Sequence, residues 1–289
     1  MRVKIDLRKT AIENAQYYYE KAKKAREKIK GAKLAIAETE RKLKKLEIQH
    51  AQRKSESPLK VKKRSKWYEK FRWFYSSDNI LVIGGRDATT NEIIIKKHTT
   101  PEHIVLHSDI PGSPFMVITE KNPPKQTIQE AAIAVASYSK AWSSSYSVID
   151  VYWVKAEQIS KSAPSGEYLT KGSFMIYGKK NYIKNVILKI CIGLTEGGEV
   201  IGGPEQSITN KTIARVTLVP GVKKSSSLAR EILRYFQYSY RLYKNNKEKK
   251  NHPEKDSCSA KKSETELDIT IDEIQRFIPA GKGEILEKK

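Results

Sequence analysis

Hydrophobic residues recur at regular intervals along the first fifty residues of the chain. One row of apolar or small side chains repeats every seven residues, and a second row follows it three residues later. This spacing is that of the a and d positions of a coiled coil, and it predicts one long helix over residues 8–50. The first row is Ala15, Ala22, Ile29, Ile36 and Leu43, and the second is Tyr18, Ala25, Ala32, Thr39 and Leu46.

The seam formed by these two rows predicts a second helix that packs against it. The second row is mostly small, which suits the close approach of an antiparallel pair. The sequence contains no other heptad segment of similar length. We therefore expect the partner helix to come from another chain or from sequence outside this one. The alternative is a single solvated basic helix.

The helical pattern is interrupted at residues 51–66, where Pro58 cannot continue a helix interior. A basic run follows the proline, so we expect a short basic linker or a second short piece of helix. Residues 1–66 are thus predicted to be a basic coiled-coil arm and its linker. The run consists of Lys60, Lys62, Lys63, Arg64 and Lys66.

Residues 67–220 have the pattern of a globular domain with several short strands and one central helix. The candidate strands are rich in Val, Ile and Leu and are bounded by Gly, Pro, Asn or Asp. The helix is predicted at 127–142, with Thr127 and Glu130 as a capping box. This order of elements indicates an α+β fold with mainly antiparallel sheet. Strands are expected at 80–84, 92–96, 104–106, 115–118, 147–155, 173–177, 186–194 and 213–219, with a hairpin turn at 87–91.

Residues 221–289 are predicted to be a C-terminal helix and a flexible tail. An amphipathic stripe predicts the helix at 226–242. Residues 244–264 are polar and poor in apolar side chains, so we expect them to be disordered. The segment 270–286 has a small amphipathic turn, and we expect it to dock on the body or on a partner.

The formal charge of +22 favours a polyanionic partner, which means nucleic acid or an anionic membrane surface. Residues 1–66 carry a net +14, residues 67–220 a net +3 and residues 221–289 a net +5. No run of 18 apolar residues is present, and no secretory signal is visible. Because Cys191 and Cys258 are far apart, a disulfide is not expected, and a reducing cytoplasm is the predicted compartment.

Three histidines and an aspartate lie close together in the sequence and raise the question of a metal or catalytic site. They are His98, His103, His107 and Asp109. On a strand, His103 and His107 would be about 13 Å apart, too far for one ion. His107 and Asp109 would face the same side, as a base and its orienting acid would. The alternatives are a buried His–Asp hydrogen bond and a phosphate-facing histidine, and we favour these. No metal, no cofactor and no catalytic residue is therefore expected.

Two further features are candidates for phosphate or RNA binding. The segment 84–87 (Gly-Gly-Arg-Asp) lacks the spacing of a phosphate loop and, we expect, the helix that would follow one. Residues 67–75 and 168–182 interleave cations with aromatic rings, which suits RNA, although most of the rings can equally belong to a core. The predicted RNA-binding residues are Lys62, Lys63, Arg64, Lys70, Arg72, Arg86, His107, Lys171, Lys179 and Lys180.

Three long motifs resemble one known domain. The motifs KWYEKFRWFYSSDNILVIGGRDATTNEIIIKK, HIVLHSDIPGSPFMVI and SKSAPSGEYLTKGSFMIYGKKNY are similar to the NFACT-R domain of the NFACT family of ribosome quality-control factors. The predicted heptad helix, which is opened by the motif VKIDLRKTAIENAQYYYEKAKK, resembles the second coiled-coil arm that precedes this domain. The resemblance runs from residue 3 to about 195 and weakly to the end. The Lys/Glu-rich composition suggests an archaeal member.

The resemblance implies a role on stalled ribosomes. Family members bind large ribosomal subunits that still hold a peptidyl-tRNA, and they bring in charged tRNA or recruit a ubiquitin ligase. The NFACT-R domain is regarded as the RNA-binding part, and the coiled coil reaches along the subunit. The chain is therefore expected to be non-enzymatic and to bind tRNA, large-subunit rRNA and a partner helix, with no membrane partner. The alternative is a coiled-coil scaffold that docks the chain carrying the N-terminal half.

This sequence departs from the family pattern in three respects. Pro111 and Ser113–Pro114 stand where a histidine and a small residue are usual, and Tyr177 stands where arginine is usual. The N-terminal domain, on which tRNA selection depends, and the first coiled-coil arm are not recognised. We therefore do not assign peptide-tailing activity to this chain alone.

Overall fold

The computed structural model describes residues 4–56, 66–162, 172–251 and 267–289. The chain divides into two compact units, Met1–Ser65 and Lys66–Lys289. The expected α+β class, with a long N-terminal helix ahead of antiparallel sheets, is confirmed. Within the described ranges, no helix has the length and apolar character needed to cross a membrane.

The first unit contains the predicted long helix, α1, at Ala11–Glu56. It begins with a capping box, in which the Glu13 amide donates to Thr10 Oγ1 at 3.3 Å and the Thr10 amide donates to Glu13 Oε2 at 2.8 Å. The helix ends two residues before Pro58, later than the expected residue 50. Residues 57–65, which include most of the predicted linker, lie outside the described residues.

The second unit is built on a six-stranded sheet in which every neighbouring pair is antiparallel. Its strands alternate between two cores: Val82 and Leu106 face one side, and Ile83 and Val105 face the other. In the order in which they pair, the strands are β1 (Arg72–Tyr75), β2 (Leu81–Gly84), β4 (Met116–Lys121), β3 (His103–His107), β5 (Val148–Lys155) and β8 (Asn181–Ile187).

The remaining strands of the described part of this unit form a four-stranded sheet and a two-stranded sheet. The expected single strand at 186–194 is wrong, because the chain leaves the first sheet after Ile187 and starts a strand of the second sheet at Ile190. The larger sheet pairs β10 (Val200–Gly203), β9 (Ile190–Leu194), β11 (Ala214–Lys224) and β12 (Lys282–Lys288), and the smaller pairs β6 (Ile159–Ser160) with β7 (Met175–Ile176).

Six helices pack on these sheets within the described residues. The helix α3 covers one face of the six-stranded sheet, and α6 packs its Leu228, Ile232 and Phe236 into the same core. The helix α2 covers the other face through the fully buried Ile94. The helices are α2 (Ala88–Lys97), α3 (Lys125–Ser137), α4 (Lys140–Ser143), α5 (Glu205–Thr209), α6 (Ser225–Asn251) and α7 (Ile271–Gln275).

Two predicted helical features differ in the structure. The expected helix at 127–142 is broken into α3 and α4, because Ser139 caps the second piece by accepting from the Ala141 amide at 3.1 Å. The expected capping box at Thr127 and Glu130 is also wrong. Helix α3 begins after Pro124, and the two side chains instead bind the loop that holds Ser76, Ser77 and Asp78.

The C-terminal residues are more ordered than predicted wherever they are described. Helix α6 continues to Asn251, so residues 244–251 are helical and not disordered, while 252–266 lie outside the described residues. The segment 270–286 docks on the body, because β12 pairs with β11 along most of its length. Helix α7 is held by a capping box between Thr270 and Glu273.

Candidate nucleic-acid interface

A cleft of about 680 Å³ opens at one end of the six-stranded sheet, where β1 and β4 begin and β2 and β3 end. The start of α2, the loop after β3, the strand β5 and the segment 172–176 form its walls. Four of the predicted RNA-binding residues line it, although they are spread over more than a hundred positions of the sequence. They are Arg72, Arg86, His107 and Lys180.

Arg72 is the first residue of β1 and lies beside Gly84 of β2. Its guanidinium carbon lies 4.1 Å from the centre of the Tyr138 ring, a cation–π contact. Burial lowers the pKa of Arg72, and the nearby charge of Arg86 lowers it further. The Tyr138 hydroxyl donates to the Phe277 carbonyl at 3.0 Å, so the ring under the arginine is itself fixed.

Arg86 is held by the main chain that leads into β1. Its guanidinium donates to the Phe71 carbonyl at 3.0 Å, and its amide donates to Thr90 Oγ1 at 2.8 Å. Burial lowers the pKa of Arg86, and the charge of Arg276 adds to this effect. The neighbouring Asp87 carboxylate opposes these two effects, because its negative charge raises the pKa of Arg86.

The segment 84–87 joins a strand to a helix, so the expectation that no helix follows it is wrong, and two further expectations are corrected with it. Residues 92–96 are helical and not a strand, and 87–91 begin that helix and do not form a hairpin turn. Asp87 is the N-cap of α2 and forms a reciprocal capping box with Thr90. The positive end of the helix dipole, at Asp87 and Ala88, therefore lies in the cleft wall.

His107 and Asp109 do not form the expected pair. His107 Nδ1 is 3.0 Å from the Pro114 carbonyl, and its ring stacks on Phe115 with the centroids 4.1 Å apart. Burial lowers the pKa of His107, so the imidazole is neutral at neutral pH. Asp109 instead accepts from Lys180 Nζ at 3.0 Å and from the Tyr182 hydroxyl at 2.9 Å. Partial burial raises the pKa of Asp109, but these two donors outweigh it and the net shift is downward.

The three histidines occupy different places. His98 stacks on Trp67 at the end of α2, and His103 begins β3, where its Nδ1 accepts from the Thr100 amide at 3.2 Å. In the described ranges, no group of three His, Cys, Asp or Glu side chains is placed to hold a metal ion. Cys191 is a free and buried thiol, and burial raises its pKa to about 11.

Exposed cations and rings alternate at the mouth of the cleft, along residues 177–184, which we call the Tyr177–Lys184 rim. Tyr177, Lys179, Tyr182 and Lys184 are exposed. Lys184 Nζ lies 4.8 Å from the centre of the Tyr182 ring and binds Asp150. Sequence reasoning did not select Lys184, although its alternation with Tyr182 along a strand was a usable signal. The rim offers both charge for phosphates and rings for unpaired bases.

Lys180 links the rim to the cleft. Its ammonium lies 4.2 Å from the centre of the Tyr152 ring, a residue that sequence reasoning also missed. Strands β5 and β8 are neighbours, so Tyr152 and Tyr182 pair directly across them. Only this pairing, and no sequence spacing, brings the two rings together.

The other predicted site residues are placed differently. Lys70 is exposed, with its ammonium 4.9 Å from the centre of the Phe71 ring, and it is not part of the cleft wall. In the aromatic cluster at 67–75, Tyr68, Phe71 and Phe74 are buried and belong to the core. Lys62, Lys63, Arg64 and Lys171 lie outside the described residues.

Comparison with known proteins confirms the resemblance to the NFACT family. Residues 70–178 match the family model of the NFACT protein RNA binding domain, and residues 1–64 match that of the NFACT N-terminal and middle domains. The chain therefore belongs to the NFACT family.

Three relatives illustrate the match. The archaeal Rqc2 homolog aRqcH of Methanocaldococcus jannaschii is 43% identical over 183 residues, which are 62% of this chain and 27% of the relative. The ribosome quality control complex subunit NEMF homolog of Drosophila melanogaster is 40% identical, over 66% of this chain and 20% of its own length. The human ribosome quality control complex subunit NEMF is 41% identical, over 60% of this chain and 16% of its own length. The archaeal relative supports the expected archaeal origin. The chain spans about a quarter or less of the length of these relatives.

Proposed function

We propose that this chain is the RNA-binding part of a ribosome-associated quality-control factor, and that it engages the large ribosomal subunit and tRNA after stalling. The observation that carries the proposal is the Tyr177–Lys184 rim beside a cleft that is lined by Arg72, Arg86 and Lys180. The family and the names of its relatives supply the ribosomal setting. We propose that the chain acts in the cytoplasm, where such a factor would meet ribosomes.

In this proposal the chain has no catalytic step of its own. His107 and Asp109, the two residues that suggested such a step, bind other groups. His107 contacts the Pro114 carbonyl, and Asp109 accepts from Lys180 and Tyr182. The relatives carry the names of ribosome quality-control subunits, which agrees with a binding role. The chain would thus contribute recognition, while tailing activity belongs to a longer protein.

Binding of tRNA to the full chain, followed by fluorescence anisotropy over a series of salt concentrations, tests the proposal. We expect a dissociation constant on the order of micromolar or tighter and a steep loss of affinity with salt, because bound phosphates release counterions. Replacement of Lys179 and Lys184 by glutamine should reduce the magnitude of the log–log salt slope by about 1.5.

The matched control replaces Lys224 and Lys282, which are exposed on the four-stranded sheet, by glutamine. It removes the same charge and should leave the salt slope close to that of the parent chain. Weak and salt-insensitive binding by the parent chain would refute the proposal. Crosslinking in cells and sequencing of the bound RNA would then identify the target, and we expect large-subunit rRNA and tRNA.

A second candidate function is that of a coiled-coil scaffold, and one observation favours it. Ile29, Ile36 and Leu43 are each more than half exposed on α1 although they occupy one heptad row. A row of this kind is stabilised when a second helix covers it. The second helix would belong to another copy of this chain or to the chain that carries the N-terminal half.

Analytical ultracentrifugation distinguishes a partner helix supplied by a second copy of this chain from one that belongs to the chain carrying the N-terminal half. If α1 pairs with itself, the full chain will be dimeric at tens of micromolar, and both the chain lacking residues 1–66 and the variant Ile29→Glu/Ile36→Glu will be monomeric. Leu34→Glu, which alters an exposed leucine outside the two heptad rows, should remain dimeric. A monomeric full chain would rule out self-association.

A further inference from the structure

We propose that the cleft is a phosphate site that receives one unpaired nucleotide, with Arg72 and Arg86 as the two guanidinium donors. This inference rests on the proposed RNA-binding function and deepens it, because it names the chemical group that the cleft recognises. It distinguishes the cleft from the Tyr177–Lys184 rim, which would hold the strand on either side of that nucleotide.

The first argument is the charge balance around the two arginines. A guanidinium that has lost part of its hydration is normally compensated by a carboxylate or another anion. Here the neighbours are a tyrosine ring, a main-chain carbonyl, other arginines and a single carboxylate, that of Asp87, whose effect on Arg86 is smaller than that of Arg276. An entering anion would therefore relieve repulsion between like charges as well as gain hydrogen bonds.

The two carboxylates in the cleft wall each bind other groups as well. Asp87 caps helix α2, where its Oδ1 accepts from the Thr90 amide at 2.8 Å. Asp109 is held by Lys180 and Tyr182 at the rim. The charge of Asp87 raises the pKa of Arg86, but the charge of Arg276 lowers it by more, so the two guanidiniums keep a surplus of positive charge around them for an external anion.

The second argument is that both arginines are fixed in position. Arg72 lies on the Tyr138 ring, which is anchored to Phe277, and Arg86 is anchored to Phe71. Donors that are already ordered lose little conformational entropy on binding. Guanidinium groups also match the geometry of phosphate oxygens better than lysines do. The positive end of α2, in the same wall, adds to the attraction for an anion.

The third argument is size. A volume of about 680 Å³ is in the range of small-ligand sites, which is enough for one nucleotide. Arg72 is half-buried within this cleft. A duplex carries its phosphates on a stiff backbone and cannot insert one past the rim, whereas an unpaired nucleotide can turn inward. The cleft should therefore prefer single-stranded RNA.

Calorimetric titration of the full chain with small ligands tests the inference. We expect inorganic phosphate and adenosine 5′-monophosphate to bind with dissociation constants on the order of a millimolar or below, and adenosine to bind at least about tenfold more weakly. Arg86→Gln should weaken both phosphate ligands by at least about tenfold. Arg72→Lys keeps the charge but loses the paired donors, and it should weaken them as well.

The control Lys224→Gln lies at an exposed position of the four-stranded sheet and should leave the binding of adenosine 5′-monophosphate unchanged. Circular dichroism and thermal unfolding of each variant separate loss of binding from loss of folding. Absence of saturable phosphate binding by the parent chain would overturn the inference, and so would equal binding by the folded Arg86→Gln and Arg72→Lys variants.

Binding of single-stranded and duplex RNA separates this inference from the proposed function. If Arg86→Gln weakens single-stranded but not duplex RNA, both stand. If the chain binds RNA through the rim but neither phosphate ligand, the inference fails and the proposed function stands. If it binds phosphate ligands but no RNA, the phosphate site stands, its natural ligand is a free phosphate compound, and both the RNA-binding function and the unpaired RNA nucleotide are ruled out.

Discussion

Replacement of Trp142 by alanine is expected to lower the free energy of unfolding of the second unit by about 3–5 kcal/mol. Trp142 is among the largest side chains that are fully buried. Its indole Nε1 donates to the Lys282 carbonyl at 2.9 Å, and its ring packs close to Gly281 and Gly283. The substitution would therefore open a cavity and also release the start of β12. Urea unfolding followed by circular dichroism measures the change.

The control for this prediction is Trp67→Ala. Trp67 is half exposed and stacks on His98 with the ring centroids 4.5 Å apart, so its loss should cost about 1 kcal/mol or less. Limited proteolysis of the Trp142 variant should also show faster cleavage near Gly281. A Trp142 variant as stable as the Trp67 variant would show that the tail does not depend on this contact.

Local patterns predicted most of the strands because their side chains alternate between two cores. Strands β2, β3, β4 and β5 each combine β-branched residues with turn signals at their ends, and all four occur near the predicted positions. The long helix α1 was predictable for a similar reason, since its heptad rows extend over five repeats. In both cases the period of the pattern alone identifies the element.

Helix α2 could not be predicted from the same rules. The run Glu92–Lys96 contains three isoleucines, which favours a strand. In the structure, Asp87 caps a helix there and Ile94 is buried against the second core of the sheet, so packing overrides the local preference. The consequence is functional, because the start of the same helix, at Asp87, Ala88 and Asn91, forms part of the cleft wall.

The candidate site was predicted as a set of residues and not as an arrangement. Arg72, Arg86, His107 and Lys180 were all selected, but only the strand order of the sheet brings them to one cleft. The same topology explains why His107 and Asp109 do not bind each other. Tyr182 of β8 and Lys180 of the preceding loop lie next to Asp109 and donate to its carboxylate. Pairings between distant strands have no local signal in a single sequence.

Replacement of Glu130 by alanine is the second large effect that we expect, with a loss of about 3 kcal/mol or more in the free energy of unfolding. Glu130 is fully buried on α3, and its carboxylate accepts from the Ser77 amide at 2.9 Å and from the Ser77 hydroxyl at 2.5 Å. The substitution would remove two hydrogen bonds to a charged acceptor and would leave a cavity at a fully buried position. Chemical unfolding measures the loss, and Glu120→Ala, at an exposed position, is the control.

Glu130→Gln tells whether charge or hydrogen bonding is what matters at this position. Burial lowers the pKa of Lys211, and the charge of Glu130 opposes that shift, so the carboxylate also helps to hold a half-buried cation. Lys211 in turn donates to the Tyr75 and Ser76 carbonyls at 3.1 and 2.9 Å. Glutamine keeps one acceptor for Ser77 but removes the charge. If the charge matters, Glu130→Gln will lose more than half of the stability lost by Glu130→Ala. If it loses much less, the loop between β1 and β2 is held by hydrogen bonds alone.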